Sequence, residues 1–165
     1  MEDTPTKDEL QKRLMRVFKF DEDDLLANRA EMMSAKQKQL MRRYAILSMA
    51  IFAFIGIFFS VLIFIPTETS KREIHLSIPI FFIVSFTIIG ALLFRLYWNK
   101  YKEGTVMLLN GTVEIQKKSG KTFLCIDGYS IHIDAKVDGL FQENAIYNVY
   151  YADSINHVMS VEKVS

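Results

Sequence analysis

Four side chains of the types that bind zinc lie in the last third of the sequence: Cys125, His132, Asp134 and His157. Structural zinc sites draw such ligands from short, recurrent spacings, and these four positions match none of them. His132 and Asp134 are two residues apart, which would place both on one face of a β-strand. We therefore interpret them as a solvent-facing polar pair, and we expect neither a metal site nor a cofactor.

The sequence shows no pattern typical of catalysis. No nucleophile–base pair, phosphate-binding loop or pair of carboxylates rises above chance. Asp127-Gly128 is first of all a turn signal. We therefore expect a protein that is not an enzyme, with no catalytic residue and no bound cofactor.

The charge balance argues against nucleic acid as a partner. The chain has 20 Lys and Arg residues against 19 Asp and Glu residues, whereas affinity for phosphate backbones requires an excess of cations. Tyrosines in the last third could stack on bases. However, Tyr147 and Tyr151 share one strand face with Val149, which is the pattern of a hydrophobic core.

Two long segments without charge occupy the middle of the chain. The first runs from Ala45 to Ile65, and the second runs from Leu76 to Phe94. The second segment then extends through Arg95 to Tyr97 and Trp98. At about 1.5 Å per residue, each is long enough to cross a hydrocarbon layer of roughly 30 Å. The alternative is a pair of buried core helices in a soluble protein. We predict a transmembrane hairpin over residues 44–98, with spans of about 45–65 and 76–97 joined by a loop at 66–75.

Lys and Arg residues near the span ends predict the orientation of this hairpin, because they favour the cytoplasmic side. Two such residues lie in the loop, Lys71 and Arg72. Seven lie at or beyond the opposite ends of the spans: Lys36, Lys38, Arg42, Arg43, Arg95, Lys100 and Lys102. We therefore expect a multi-pass protein of the cell membrane with both termini in the cytoplasm. The predicted interface residues are Tyr44, Arg95, Tyr97 and Trp98.

Small residues within the spans permit close approach of helices. Gly56 and Ser60 have small-xxx-small spacing, and so do Thr87 and Ala91. Packing within the hairpin, contact in a homo-oligomer and no role at all remain three open interpretations.

Residues 1–43 are predicted to form a cytoplasmic helical arm. Thr6 and Glu9 have the spacing of a capping box, and Leu10, Leu14 and Phe18 follow at helical spacing. The acidic cluster at 21–24 suits the start of a second helix. Ser34 and Gln37 form another capping box, and the helix that they start should continue into the first span.

The apolar residues of the arm must pack on something, since short helices are marginal in water. They could fold on each other, on the C-terminal domain, on the lipid surface or in the groove of a partner protein. We predict partner-binding residues on the second helix and just after it: Leu25, Leu26, Arg29 and Met33.

Several residues of the arm resemble a family of small, uncharacterised bacterial membrane proteins. The pattern F-x-x-x-D-L-x-x-N-R is present from Phe20 to Arg29, and S-x-x-Q is present from Ser34 to Gln37. A glycine often follows the Asn-Arg pair in that family, where this chain has Glu31. The stretches from Tyr147 to Tyr151 and from Ser160 to Glu162 also resemble the ends of those proteins. The resemblance implies two membrane helices and a C-terminal β-domain, but no known activity.

Residues 104–165 have the pattern of a small β-domain. Six short runs rich in β-branched and aromatic residues are separated by turn signals. Asn110-Gly111 is the strongest hairpin signal, and further turns are expected at Ser119-Gly120, Asp127-Gly128 and Asp138-Gly139. The spacing predicts a closed SH3-like or OB-like barrel that folds independently of the membrane. The predicted runs are Thr105–Leu109, Thr112–Gln116, Thr122–Ile126, Tyr129–Ile133, Ile146–Tyr151 and His157–Val164.

These features together predict an α+β membrane protein that carries protein-interaction surfaces. We interpret it as a non-enzymatic, membrane-anchored adaptor or accessory subunit. The alternative is a small subunit of a membrane transport or channel complex. The expected partners are the lipid bilayer and another membrane or cytoplasmic protein, and a homo-oligomer stays an alternative.

Overall fold

The computed structural model describes residues 6–64, 77–133, 137, 140–142, 144–155 and 157–164. The chain divides into two compact units. The first unit combines Met1–Lys38 with Glu103–Ser165, and the second unit is Gln39–Lys102. Four helices and two antiparallel sheets make up the described residues. This confirms the predicted α+β class.

Two short helices in the first unit begin at the predicted positions: the first at the predicted capping box, and the second at the predicted acidic cluster, where the structure shows a second capping box. α1 is Lys7–Phe18, and the side chains of Thr6 and Glu9 bond to each other's backbone N–H groups. α2 is Glu22–Arg29, and Asp21 caps it in the same reciprocal way with Asp24. Each box satisfies backbone donors that the first turn of a helix leaves without partners. The predicted starts of both helices are therefore confirmed.

Two long helices contain the apolar segments. α3 is Ala35–Phe64 and α4 is Ser77–Glu103, so α3 does continue without a break from its capping box into the apolar run. Only 17% and 11% of their most apolar stretches are buried. A core helix of a soluble protein would be mostly buried. By length and composition both helices can cross a membrane, while the predicted loop 66–75 lies outside the described residues.

Small residues let α3 and α4 approach closely within the second unit. A β-carbon on Gly56 would lie 3.3 Å from Cβ of Phe86, and one on Gly90 would lie 3.0 Å from Cβ of Phe52. The Ser60 hydroxyl donates to the carbonyl of Pro79 at 3.1 Å. Contacts thus move backward along α4 as they move forward along α3, which makes the helices antiparallel.

The predicted small-residue pairs have different outcomes. Gly56 and Ser60 lie at the helix contact, as the hairpin interpretation requires. Thr87 and Ala91 are exposed instead, and Gly90 makes the close approach on α4. Adjacent residues of a helix point about 100° apart, so Gly90 can face α3 while its neighbour Ala91 is exposed.

Six strands of the first unit form two three-stranded antiparallel sheets. One sheet has the order β1-β5-β6 and the other has the order β2-β3-β4. Their bounds are Met107–Thr112 for β1, Glu114–Lys118 for β2, Lys121–Ile126 for β3, Tyr129–Ile133 for β4, Ile146–Ala152 for β5 and His157–Lys163 for β6. Both sheets are open, and the described strands do not close into a barrel.

The Asn110-Gly111 hairpin is a wrong prediction. Both residues lie inside β1, where Asn110 pairs with Asn148 and Gly111 pairs with Tyr147. The preference of Asn-Gly for a turn is local. It is outweighed here because β1 pairs with β5 and buries Leu109 opposite Val149.

Other predicted turns are correct. Ser119-Gly120 and Asp127-Gly128 each connect adjacent strands, and all four residues have positive φ. Such pairs of positive φ match the twist of a two-residue hairpin. Asp138-Gly139 lies outside the described residues.

The arm helices pack on the sheet that contains β6. Both α1 and α2 lie against this strand, and Leu10 and Leu14 of α1 are buried. The side-chain amide of Gln11 also donates to the carbonyl of Val161 at 3.1 Å. Of the alternatives for the arm, the structure therefore shows packing on the β-domain, and the arm and the sheets share one core.

Candidate functional site

A pair of buried amides forms the centre of a polar network in the first unit. Asn28 of α2 and Gln37 of α3 exchange two hydrogen bonds, of 2.8 and 3.1 Å. Both residues are almost fully buried. The Gln37 side chain also accepts from the Ser34 N–H at 3.1 Å, and Gln37 N–H donates to the Ser34 hydroxyl at 3.1 Å. The capping box that starts α3 is therefore confirmed and is part of the network.

The same amides reach the last strand. The Ser160 hydroxyl donates to Oδ1 of Asn28 at 2.7 Å, across 132 positions of sequence. Nε2 of Gln37 donates to the carbonyl of Met159 at 3.2 Å. Nδ2 of Asn28 also donates to the carbonyl of Met32 at 2.9 Å. These bonds connect α2, the start of α3 and β6.

Carboxylates extend the network at the N-terminus of α2. Asp24 is buried and accepts from the Ser34 hydroxyl. Lys36 bridges Asp21 and Asp24, with Nζ to carboxylate distances of 2.6 and 3.2 Å. The hydrogen bond from Lys36, together with the backbone N–H of Asp24, holds the pKa of Asp21 below its ordinary value. The exposed Asp21 pair is worth little by itself, whereas Asp24 is buried and accepts hydrogen bonds from both Ser34 and Lys36.

A second cluster joins α2 to β5 and β6 around Glu162. Arg29 donates to Oε2 of Glu162 at 2.5 and 3.0 Å, while Tyr150 and Asn148 donate to Oε1 at 2.8 and 3.0 Å. Burial opposes the charge of Glu162, but these donors together lower its pKa. Burial and the neighbouring carboxylate raise the pKa of Tyr150 to about 12. Glu162 is thus held ionised and Tyr150 is held protonated.

The buried polar atoms of this unit satisfy one another. Within the described part of the chain, no buried side-chain nitrogen or oxygen lacks a hydrogen-bond partner. A fully satisfied network orders the groups that it connects, because any displacement would leave a buried polar atom without a bond. What this arrangement can do is hold α2 and the start of α3 against β6.

Comparisons with protein-family models, with curated proteins and with solved structures found no match for this chain. The resemblance to small bacterial membrane proteins therefore stays a prediction. The residues that carry it nevertheless meet in space. Nine of them belong to the two clusters: Asp24, Asn28, Arg29, Ser34, Gln37, Asn148, Tyr150, Ser160 and Glu162.

The four predicted partner-binding residues lie in different environments. Leu25 and Met33 are buried in the core of the first unit. Arg29 is engaged with Glu162. Leu26 is 60% exposed. Only Leu26 of these presents an unpaired apolar surface to solvent, and Met32, which is 50% exposed, lies close by in sequence. Their role in binding a partner stays a prediction.

The four predicted interface residues lie at one level of the two long helices. The rings of Tyr44 and Tyr97 are 5.8 Å apart, and Trp98 stacks on Phe94 at 5.3 Å. Arg95 is exposed on α4. The structure thus groups these side chains at the end of the hairpin opposite the predicted loop.

The structure does not bring together the described residues of zinc-binding type. His132 lies against the ring of Phe123 at 5.5 Å, and Cys125 faces the Ser130 hydroxyl at 3.6 Å. Asp134 lies outside the described residues. Among those that are described, no group of three or more His, Cys, Asp or Glu side chains could hold a metal ion.

Sequence reasoning missed the central role of Asn28, Gln37 and Ser160. A signal was available for Asn28, which lies three residues after Leu25 and thus on the same, buried face of α2. A polar residue on a core face usually has a specific partner. The identity of that partner depends on β6, more than 130 positions later in the chain, and cannot be found from local spacing.

Glu31 occupies a position that favours glycine. Its φ is 58°, in the left-handed region where a β-carbon costs about 1–2 kcal/mol. Its N–H donates to the carbonyl of Asn28, and its own carbonyl accepts from Val106, so the chain needs this conformation. The tight turn that a glycine would form is present with glutamate.

We expect Glu31→Gly to raise the free energy of unfolding of the first unit by about 0.5–1 kcal/mol, since glycine relieves this strain. Ala30→Gly is the matched control, because Ala30 has φ of −88° and glycine relieves no strain there. We expect this variant to lower the free energy of unfolding by a similar amount. Hydrogen exchange of β6 amides in the full chain in mild detergent measures both changes. Equal destabilisation by the two glycines would contradict the argument.

Proposed function

We propose that this chain is a non-enzymatic adaptor or accessory subunit, anchored in the cell membrane by α3 and α4. The observation that carries the proposal is the fixing of the arm on the β-domain by the Asn28–Gln37–Ser160 network. An anchor alone does not require such an ordered unit. Leu26 and Met32, two of the exposed apolar side chains on this unit, supply a docking surface for another protein.

Membrane insertion of α3 and α4 is part of the same proposal. Its support is their apolar length together with the exposure of most of their apolar side chains. Water would penalise so much exposed apolar surface, whereas lipid does not. The Lys and Arg residues at the helix ends support an orientation with both termini in the cytoplasm.

We expect cysteine labelling in intact cells to show this orientation. In a Cys125→Ser background, Thr69→Cys in the loop should react with a membrane-impermeant maleimide. Lys118→Cys, at an exposed position of β2, should react only after lysis. The opposite pattern would reverse the proposed topology.

The β-domain is proposed to be an incomplete SH3-like or OB-like barrel. The support is the proximity of the two sheets, with β1 beside β3 and β4 beside β6. The ring of Tyr129 at the start of β4 also lies 6.1 Å from that of Tyr151 in β5. In such a domain, a protein ligand would use surfaces outside the shared core.

A second candidate is a small subunit of a membrane transport or channel complex. Its support is the exposure of Thr87 and Ala91 on α4, since small residues on a lipid-facing surface permit another helix to pack there. In this alternative, the partner contacts the spans and not the docking surface.

Substitution of Leu26 separates the two candidates. We expect Leu26→Asp to abolish co-purification of a partner from mild detergent, because it places a charge on the docking surface. The unfolding temperature should change little, as Leu26 is exposed. Leu108→Asp, at an exposed leucine of β1, is the matched control and should keep the partner. Retention of the partner by both variants would contradict the adaptor proposal and favour contact through the spans.

A further inference from the structure

A stripe of polar side chains runs along the exposed surface of α4 near its end. Arg95, Asn99 and Lys102 follow one another at intervals of four and three residues, and all three are exposed. This spacing places them on one face of the helix. The stripe is about 10 Å long, at 1.5 Å rise per residue.

An aromatic ladder lies beside the stripe on the same helix. Phe94, Trp98 and Tyr101 contact one another in sequence, with ring centroids 5.3 and 5.2 Å apart. Each ladder residue precedes a stripe residue by one position. Trp and Tyr prefer the headgroup level of a bilayer, so the ladder sets the stripe at the depth of the lipid phosphates.

The charge around the stripe is mainly positive. The described residues of the second unit include five cations, Arg42, Arg43, Arg95, Lys100 and Lys102, and no Asp or Glu. Arg95 directly follows an uncharged run at 77–94. A cation at the edge of an apolar layer is poorly hydrated and gains from an anionic partner. The one carboxylate of α4, Glu103, is its last residue and lies eight positions beyond Arg95, so Arg95 has no carboxylate within two turns of the same helix.

We propose that the stripe of Arg95, Asn99 and Lys102 binds the phosphate headgroup of an anionic phospholipid; this inference rests on the proposed membrane insertion of α4. The Arg95 guanidinium matches the phosphate oxygens in a bidentate manner. Lys102 adds a second cation about two helical turns away, and Asn99 between them donates to ester or glycerol oxygens. A choline headgroup carries its own positive charge and is disfavoured beside these cations.

Trp98 gives a direct measurement, because it is the only tryptophan of the chain. The full chain is reconstituted in phosphatidylcholine vesicles that contain a minor fraction of brominated phosphatidylglycerol or of brominated phosphatidylcholine. Bromine quenches indole fluorescence only at short range. From the quenching we derive how often each lipid occupies the site beside Trp98. We expect this occupancy to be about fivefold higher for phosphatidylglycerol than for phosphatidylcholine, a ratio equivalent to roughly 1 kcal/mol.

The test variant is Arg95→Gln with Lys102→Gln, which should reduce the ratio to about one. The matched control is Lys118→Gln with Lys121→Gln, which removes two exposed charges from the β2–β3 hairpin and should keep the preference. Equal quenching by both lipids in the unmodified chain, or a preference that survives in the test variant, would overturn the lipid site alone. An absence of quenching by either lipid would overturn both the site and the proposed insertion.

Discussion

Replacement of Asn28 by alanine is expected to lower the free energy of unfolding of the first unit by about 3–5 kcal/mol. The side chain is fully buried and bonds to Gln37, Ser160 and the carbonyl of Met32. Its removal leaves several buried polar groups without partners, and each such group costs about 1–3 kcal/mol. Hydrogen exchange of β6 amides in the full chain in mild detergent measures the loss.

Asn110→Ala is the matched control for this experiment. Asn110 is exposed on β1, and its side-chain amide donates a hydrogen bond to the side chain of the neighbouring Asn148. We expect its replacement to change the free energy of unfolding by about 0.5 kcal/mol or less. If Asn28→Ala cost no more than this control, the network would not be what fixes the arm.

Leu14→Ala is expected to cost about 3 kcal/mol, within the usual range of 2–5 kcal/mol for a buried leucine. Leu14 is completely buried on α1, which lies against β6. The smaller side chain leaves a cavity that a packed core fills only in part. The same hydrogen-exchange measurement applies, and protection should fall in α1 and β6 together.

Leu26→Ala provides the comparison with identical chemistry. Leu26 is 60% exposed, so its truncation should change the free energy of unfolding by no more than about 0.5 kcal/mol. A similar loss for the two leucines would mean that α1 is not docked through Leu14. A loss confined to Leu14→Ala would support the shared core of the arm and the sheets.

Local signals predicted the helices well, because their causes are local. The capping boxes at Thr6 and Ser34 involve side chains three residues apart, and such contacts can be read from spacing alone. The two long helices could also be predicted from local sequence, since an uncharged apolar run of about 20 residues is typical of a long helix. The turns at Ser119-Gly120 and Asp127-Gly128 also depend on adjacent residues only.

Pairing between distant segments could not be predicted in the same way. Asn110-Gly111 had the composition of a turn, yet β1 pairs with β5 nearly forty positions later. The polar network has the same origin, because Asn28 and Gln37 need Ser160 and the backbone of β6. Local spacing placed Gln37 in a capping box, and the resemblance included Asp24 and Asn28, but neither indicated the network. Which strand they bond to depends on the packing of the complete first unit.

The shared core of the arm and β6 has a consequence for the time course of synthesis. Gln11 bonds to Val161, 150 positions later. At about 5–20 residues per second, the ribosome needs roughly 8–30 s between these two residues, and both long apolar helices are made in the interval. Until β6 emerges, Leu10 and Leu14 have no sheet to cover them. The apolar face of α1 therefore lacks its partner strand during most of translation, and the first unit can be completed only after β6 has been made.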